Sequence, residues 1–162
     1  MKAARWGAFL QVARVVQAYD VLYSPQVIDD RSGQQTLWPS PDSSPVGARP
    51  TEAAYWRGSQ ASRDQSREAQ RRLGQFMTPA PIARFIARGM VEGRTWHNGT
   101  MRALDPAAGS GVLAAALVEA VLALEHRPRR IELLLCEIDG RMQPLLAECV
   151  SELQALCCGR NV

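Results

Sequence analysis

Several features that commonly announce a function are scarce or missing from this chain. Aromatic residues make up only 6% of its 162 residues. The longest apolar run, Val112 to Leu124, falls short of the ~20 residues needed to span a bilayer and contains Glu119. The four cysteines, Cys136, Cys149, Cys157 and Cys158, form no Cys-x-x-Cys pair, and His97 and His126 stand at no metal-ligand spacing from them. A zinc site is therefore not expected. The cysteines read as reduced core or near-surface thiols of a cytosolic protein, with the adjacent Cys157 and Cys158 the only candidates for redox activity. There is no Gly-Lys-Ser/Thr, which excludes a P-loop nucleotide site, and there is no Pro-Pro pair anywhere. Met1-Lys2-Ala3-Ala4-Arg5 faintly resembles the start of a signal peptide, but Gln11, Arg14 and Gln17 break the stretch that follows. A cytoplasmic protein with no membrane partner is the expectation.

What is present is ordinary in proportion. Hydrophobic residues are 46% and charged residues 22% of the chain, a globular balance that excludes collagen-like, wholly disordered and disulfide-framework proteins. The net charge of +3 arises from 19 basic residues, nearly all Arg, against 16 acidic ones. Such an excess is compatible with a nucleic-acid partner and equally with a solvated surface. The length suits one domain, yet it is short for a multi-stranded α/β enzyme.

Hydrophobic periodicity divides the chain. Residues 3–23 read as an amphipathic helix, with Trp6, Phe9, Leu10, Ala13 and Val16 at three- and four-residue steps and Val12, Val15, Tyr19 and Leu22 widening the stripe. From 29 to 66 the pattern is lost. Pro39, Pro41, Pro45 and Pro50 lie among Ser, Gly, Gln and Asp, which predicts a linker or flexible loop in which Trp38, Tyr55 and Trp56 dock locally at most. Residues 63–73 are charged and helical in character. A helix over Pro79–Met90 follows, with Thr78 placed to cap it and Pro79 in its first turn. Ile82, Phe85, Ile86 and Met90 share one of its faces, Arg84 and Arg88 the other. Met101–Leu104 predicts a short buried strand, 105–111 a glycine-containing loop and Val112–Glu125 a helix. Ile131–Ile138 predicts a second strand, apolar on both faces as parallel strands are. Residues 142–157 form the last helix. Helix, strand, loop, helix, strand, helix is an α/β order implying a right-handed crossover.

The loop Asp105-Pro106-Ala107-Ala108-Gly109-Ser110-Gly111 joins a strand to a helix, where open α/β sheets bind ligands. Gly109 and Gly111 let the backbone approach a ligand closely, and the first amides of the helix point toward it. Gly109-x-Gly111-x-x-Ala114 also fits a relaxed dinucleotide pattern, so a nicotinamide cofactor stays open from the loop alone. Asp105, however, repels a pyrophosphate and suits a cationic amino group. Glu137, at the tip of the second strand, is placed to accept hydrogen bonds from both hydroxyls of a ribose, and Ile138 to pack on an adenine. The competing structural reading is that Glu137 and Asp139 merely cap the next helix.

Gly74-Gln75-Phe76-Met77-Thr78-Pro79, then Asp105-Pro106-Ala107-Ala108-Gly109-Ser110-Gly111, then Glu137-Ile138-Asp139 resemble three motifs, in order, of N6-adenine DNA methyltransferases of the type I and type IIG restriction–modification kind. The resemblance spans about residues 63 to 145 and departs from the family at Ala108, where Cys is usual. It implies a partial Rossmann-like class I methyltransferase fold over 67–162, preceded by a helix over 1–28 and the linker over 29–66. It implies S-adenosylmethionine as cofactor, held by Phe76, Thr78, Pro79, Asp105, Ala107, Gly109, Gly111, Glu137 and Ile138, with Thr78 on the methionine carboxylate. It implies double-stranded DNA as the partner of the complete enzyme. The family also needs a later Asn/Asp/Ser-Pro-Pro-aromatic motif, whose ring stacks on the extruded base. With no Pro-Pro here, no catalytic residue is assigned, and the catalytic and DNA-reading parts are expected in a missing portion or a separate subunit. The alternatives are a non-catalytic binding or interaction module and, less favoured, an NAD(P)-binding protein.

Overall fold

A computed structural model of the chain describes residues 47–159, apart from 64, 67, 69, 72–74 and 97–98. Its elements are α1 (Pro50–Arg63), α2 (Ala80–Val91), β1 (Thr100–Asp105), α3 (Val112–Leu122), β2 (Arg130–Leu135) and α4 (Gln143–Cys157). The expected helix over 3–23, Trp38 and the first part of the expected linker lie outside the described residues.

The strand–helix–strand unit forms as its pattern predicts. β1 and β2 pair in parallel, with Met101 opposite Ile131 and Asp105 opposite Leu135, so the two strands end level. On the helix-covered face, Met101, Ile131, Leu133 and Leu135 are buried. The opposite face is open, and here the expected buried strand needs correction: Arg102 is exposed and Leu104 is 62% exposed. β2 also stops at Leu135, short of the expected Ile138, and residues 136–139 run on outside the strand. Between the strands, α3 is nearly buried all round, from Val112 through Val121. Its alanines, Ala114, Ala115 and Ala116, let neighbouring elements approach it closely. Leu146, Cys149 and Leu153 of α4 close the core from its other end.

The part of the expected linker over 50–63 is a helix. α1 buries Thr51, Ala54, Gly58 and Ser62, spaced three, four and four residues apart. That is helical periodicity carried by small and polar residues, so a search for large apolar ones passes over it. The small side chains permit close packing: a Cβ on Gly58 would lie 2.4 Å from Ser110 Oγ and 2.5 Å from Met77 Sδ. Ser110 Oγ donates to the Ala54 carbonyl at 2.8 Å. Polar ties complete the seat. Arg57 donates to both carboxylate oxygens of Glu152 on α4, at 2.6 and 2.8 Å. The Thr51 N–H at the start of α1 donates to Glu119 Oε1 at 2.9 Å, which satisfies an otherwise orphaned helix-terminal donor. Glu52 pairs with Arg84 of α2. Glu119, the one charge in the apolar run, therefore anchors α1 on α3. Tyr55 packs at the margin of the core.

α2 begins one residue later than expected, with Pro79 rather than Thr78 at the N-cap and no side-chain cap. Its apolar stripe does share one face, but that face points outward. The buried face is Ala80, Ala83, Ala87 and Val91. Of the charged stretch 63–73, the described residues Glu68, Gln70 and Arg71 are helical. Among the described residues no helix is long and apolar enough to cross a membrane. All four cysteines are free, and burial pushes the Cys149 thiol up to about 12, which keeps it protonated and unreactive.

Two glycines with contrasting surroundings test this packing. Gly111 caps α3 at φ 91°, and a Cβ there would sit 2.8 Å from Cys149 Sγ. Gly89 lies inside α2, and a Cβ there would meet nothing within 4 Å. Gly111→Ala should destabilise by on the order of 2–4 kcal/mol through left-handed strain and a core clash. Gly89→Ala should stabilise by about 0.5–1 kcal/mol. Urea unfolding monitored by circular dichroism checks both, and equal effects would contradict the packing described.

Candidate ligand site at the carboxyl ends of the strands

The level ends of β1 and β2 are laced together by the chain that follows each. Cys136 N–H donates to the Asp105 carbonyl at 2.9 Å, and Ala108 N–H donates to the Cys136 carbonyl at 2.9 Å. The ladder is thus extended past both strands and draws the glycine loop against residues 136–139. Within the loop, Gly109 has φ 56° and Gly111 φ 91°, conformations that side-chain-bearing residues rarely adopt. Gly111 N–H closes the turn on the Ala108 carbonyl at 2.8 Å.

Glu137 is the hub of this arrangement. Its Oε2 accepts from the Gly109 N–H at 2.7 Å and its Oε1 from the Asp139 N–H at 2.7 Å. The carboxylate neither caps α4 nor stands free. It ties the glycine loop to the turn after β2, and each oxygen keeps a second lone pair for a ligand hydroxyl. Asp139 builds the adjoining turn. It accepts from the Arg141 backbone N–H at 3.0 Å, from the Arg141 guanidinium at 3.0 and 2.8 Å, and from the Gln75 side-chain amide. The Arg141 guanidinium, assisted by the Gln75 amide, holds its carboxyl down at about 2.

Asp105 sits at the tip of β1. Its Oδ1 accepts the Ala107 N–H at 3.1 Å, while its Oδ2 is buried without a partner. Desolvation pushes its carboxyl above the usual carboxylate range, partly opposed by the Ala107 N–H and reinforced by the negative charge of Glu137. A buried acceptor beside a second carboxylate is a site for a cation or an N–H donor.

The residues singled out from sequence divide in two. Asp105 is bonded to Ala107 and Glu137 to Gly109, two adjacent pairs, and Gly111 starts α3 beside them. Thr78 and Pro79 are partly buried at the start of α2. Phe76 and Ile138 stand 71% and 68% exposed, outside the hydrogen-bonded cluster and open to a flat ligand. Four contributors went unassigned. Met77 touches the loop, with its sulfur 3.8 Å from Ser110 Oγ, and so seats the Phe76–Pro79 segment against it. Ser110 is buried by α1. Gln75 and Arg141 fix Asp139. Gln75 and Met77 lie inside the quoted motif; what they touch lies more than 30 residues away and has no local signal.

Among the described residues no group of His, Cys, Asp and Glu could hold a metal ion. Comparison with family models, with curated proteins and with solved structures found no match to this chain.

The Asp139–Arg141 pair carries a pH signature. A carboxyl held at about 2 when folded, against 3.8 when free, contributes stability that is complete above about pH 5 and is lost as pH falls through the folded value. Arg141→Ala should therefore lower stability at pH 7, with the difference from the parent chain reduced to a small fraction by pH 2. Denaturant midpoints across that range measure this; a difference that persists undiminished at pH 2 would show that Arg141 acts by other means.

Proposed function

We propose that this chain is the S-adenosylmethionine-binding part of a site-specific DNA adenine-N6 methyltransferase, with a partial Rossmann-like class I methyltransferase domain over 67–162, acting in the cytoplasm within a restriction–modification system. The observation that carries the reading is the paired placement of two carboxylates around the glycine loop: Asp105 with an unpartnered oxygen, and Glu137 bonded to the Gly109 amide.

This arrangement supports S-adenosylmethionine over a dinucleotide. A pyrophosphate needs free loop amides and a positive rim. Here the Gly109 N–H is engaged by Glu137, and Asp105 and Glu137 make the rim acidic, Asp139 being neutralised by Arg141. A ligand with an ammonium group, a ribose and an adenine suits it better. Asp105 Oδ2 would take the ammonium. Glu137 would take the ribose hydroxyls through its remaining lone pairs. Gly109 and Gly111 would admit the methionine part, with Ala107 beside it. Thr78, which does not cap α2, would hydrogen-bond the carboxylate, with Phe76 and Pro79 alongside. Ile138 would pack on the adenine. When bound, S-adenosylmethionine supplies an electrophilic methyl group. The residues named would bind and orient it; with no Pro-Pro in the chain, none is assigned to receive the target base.

A second reading, a non-catalytic interaction module, is favoured by a separate observation. α2 and β1 expose Ile82, Phe85, Ile86, Met90 and Leu104, each at least 40%, and an apolar patch of that kind marks a contact surface.

Calorimetric titration with S-adenosylhomocysteine separates these. The proposal expects binding by the chain alone, weakened at least ~10-fold, about 1.4 kcal/mol, by Asp105→Asn. Asp105→Asn should leave the ligand-free chain no less stable, because it removes a desolvated charge beside Glu137. Binding of NAD(P) without S-adenosylhomocysteine would overturn the cofactor, and binding of neither would leave the interaction module standing.

A further inference from the structure

α1 touches the two segments that border the Glu137 cluster. Gly58 lies inside α1 and is buried. A Cβ there would overlap Ser110 Oγ of the glycine loop and Met77 Sδ of the segment that leads into α2. Those two atoms also touch each other, at 3.8 Å, and a Cβ on Gly109 would meet Met77 Cε at 3.4 Å. Met77 is therefore a wedge, with Gly58 on one side and Gly109 on the other. The Ala54 carbonyl, one turn before Gly58, accepts from Ser110 Oγ at 2.8 Å.

The far end of α1 reaches the same cluster by a second route. The Ser62 carbonyl accepts from the Gln70 side-chain amide at 2.7 Å, and the Gln70 carbonyl accepts from the Gln75 N–H at 2.9 Å. The Gln75 side-chain amide donates to Asp139, whose own N–H is held by Glu137. α1 itself is pinned to three other helices. Its Thr51 N–H bonds to Glu119 of α3, its Glu52 pairs with Arg84 of α2 and its Arg57 with Glu152 of α4. A side chain added at Gly58 thus finds its own helix fixed, and the overlap is relieved by Met77 and Ser110. Packed interiors compress little and pass such displacements on.

We propose that Gly58 is a positioning residue of the ligand site: it makes the space in which Met77 and Ser110 meet, and so sets the 75–79 segment and the glycine loop at the separation the ligand needs. Binding groups must be held to within about 0.5 Å, which a rigid support does better than a loop on its own. Glycine is otherwise a poor choice inside a helix. Gly89 of α2 gives the comparison, since a Cβ there would meet nothing within 4 Å. The proposal rests on the glycine loop being the ligand site, and not on which ligand enters it.

The test compares Gly58→Ala with Gly89→Ala in ¹⁵N-labelled full chain, first ligand-free and then titrated with S-adenosylhomocysteine. Without ligand, Gly58→Ala should displace the Gly109 and Ser110 amide resonances while the α4 amides stay as protected as in the parent chain. Gly89→Ala should leave Gly109 and Ser110 in place. Affinity for S-adenosylhomocysteine should fall at least tenfold in Gly58→Ala and stay unchanged in Gly89→Ala. Met77→Ala removes the wedge and adds no volume, so it serves where Gly58→Ala alone fails to fold. It should also displace the Gly109 resonance, and in its presence Gly58→Ala should move that resonance less than half as far again, because Ser110 Oγ has the vacated space to turn into. A Gly109 resonance that neither change moves, displacements that simply add, or an unchanged affinity in Gly58→Ala would overturn the proposal. A parent chain that does not bind S-adenosylhomocysteine would instead count against the cofactor, and the ligand-free resonances would still decide the role of Gly58.

Discussion

Two backbone amides, Gly109 and Asp139, converge on one carboxylate, that of Glu137, and the form of the candidate site follows from that convergence. A glycine loop is by itself conformationally permissive and loses much entropy on being fixed. Charge-assisted hydrogen bonds to a half-buried carboxylate, worth on the order of 1.5–3 kcal/mol each, oppose that loss. They also decide the loop's chemistry. An amide engaged by a carboxylate is withdrawn from any phosphate, so the loop is turned away from the anion-binding use that similar glycine turns often serve. Asp105, on the neighbouring strand tip, is desolvated and also meets a negative neighbour; burial first and that charge second raise its carboxyl, and one oxygen is left ready for a positive group.

The surrounding fold keeps this convergence in place. The parallel register sets Asp105 beside Leu135, and the two bonds that lace residues 105–108 to Cys136 extend the pairing into the loops. Gly111, packed against Cys149 and Leu146 with no room for a side chain, lets α4 lie against the start of α3. α1 presses on Ser110 from the other side through Ala54 and Gly58. The loop is therefore held by a strand extension, a helix cap and a docked helix, each contacting a different residue.

How much of this was legible in the sequence depended on residue size and on range. The β1–α3–β2–α4 order shows in the apolar runs at Met101–Leu104, Val112–Leu124 and Ile131–Leu135, whose lengths separate strands from helix. The loop shows in Gly109 and Gly111. α1 does not show, because its buried stripe is Thr51, Ala54, Gly58 and Ser62 rather than leucines. α2 shows as a helix but with its packing inverted, because Ala83 and Ala87, not Ile82 and Phe85, meet α3. The tie from Glu137 to Gly109 spans 28 residues. Sequence marks both ends as candidates for a ligand, yet only the fold reveals that they bind each other.

The central claim, that the Glu137 carboxylate holds the glycine loop and that a ligand enters through that contact, can be read directly from amide resonances. In ¹⁵N-labelled chain titrated with S-adenosylhomocysteine, the Gly109 amide should exchange slowly before ligand is added, and Gly109 and Asp139 should show the largest shifts afterwards. A Gly109 amide that exchanges as fast as that of exposed Gly140, with ligand-induced shifts clustered away from residues 105–111 and 136–139, would contradict it.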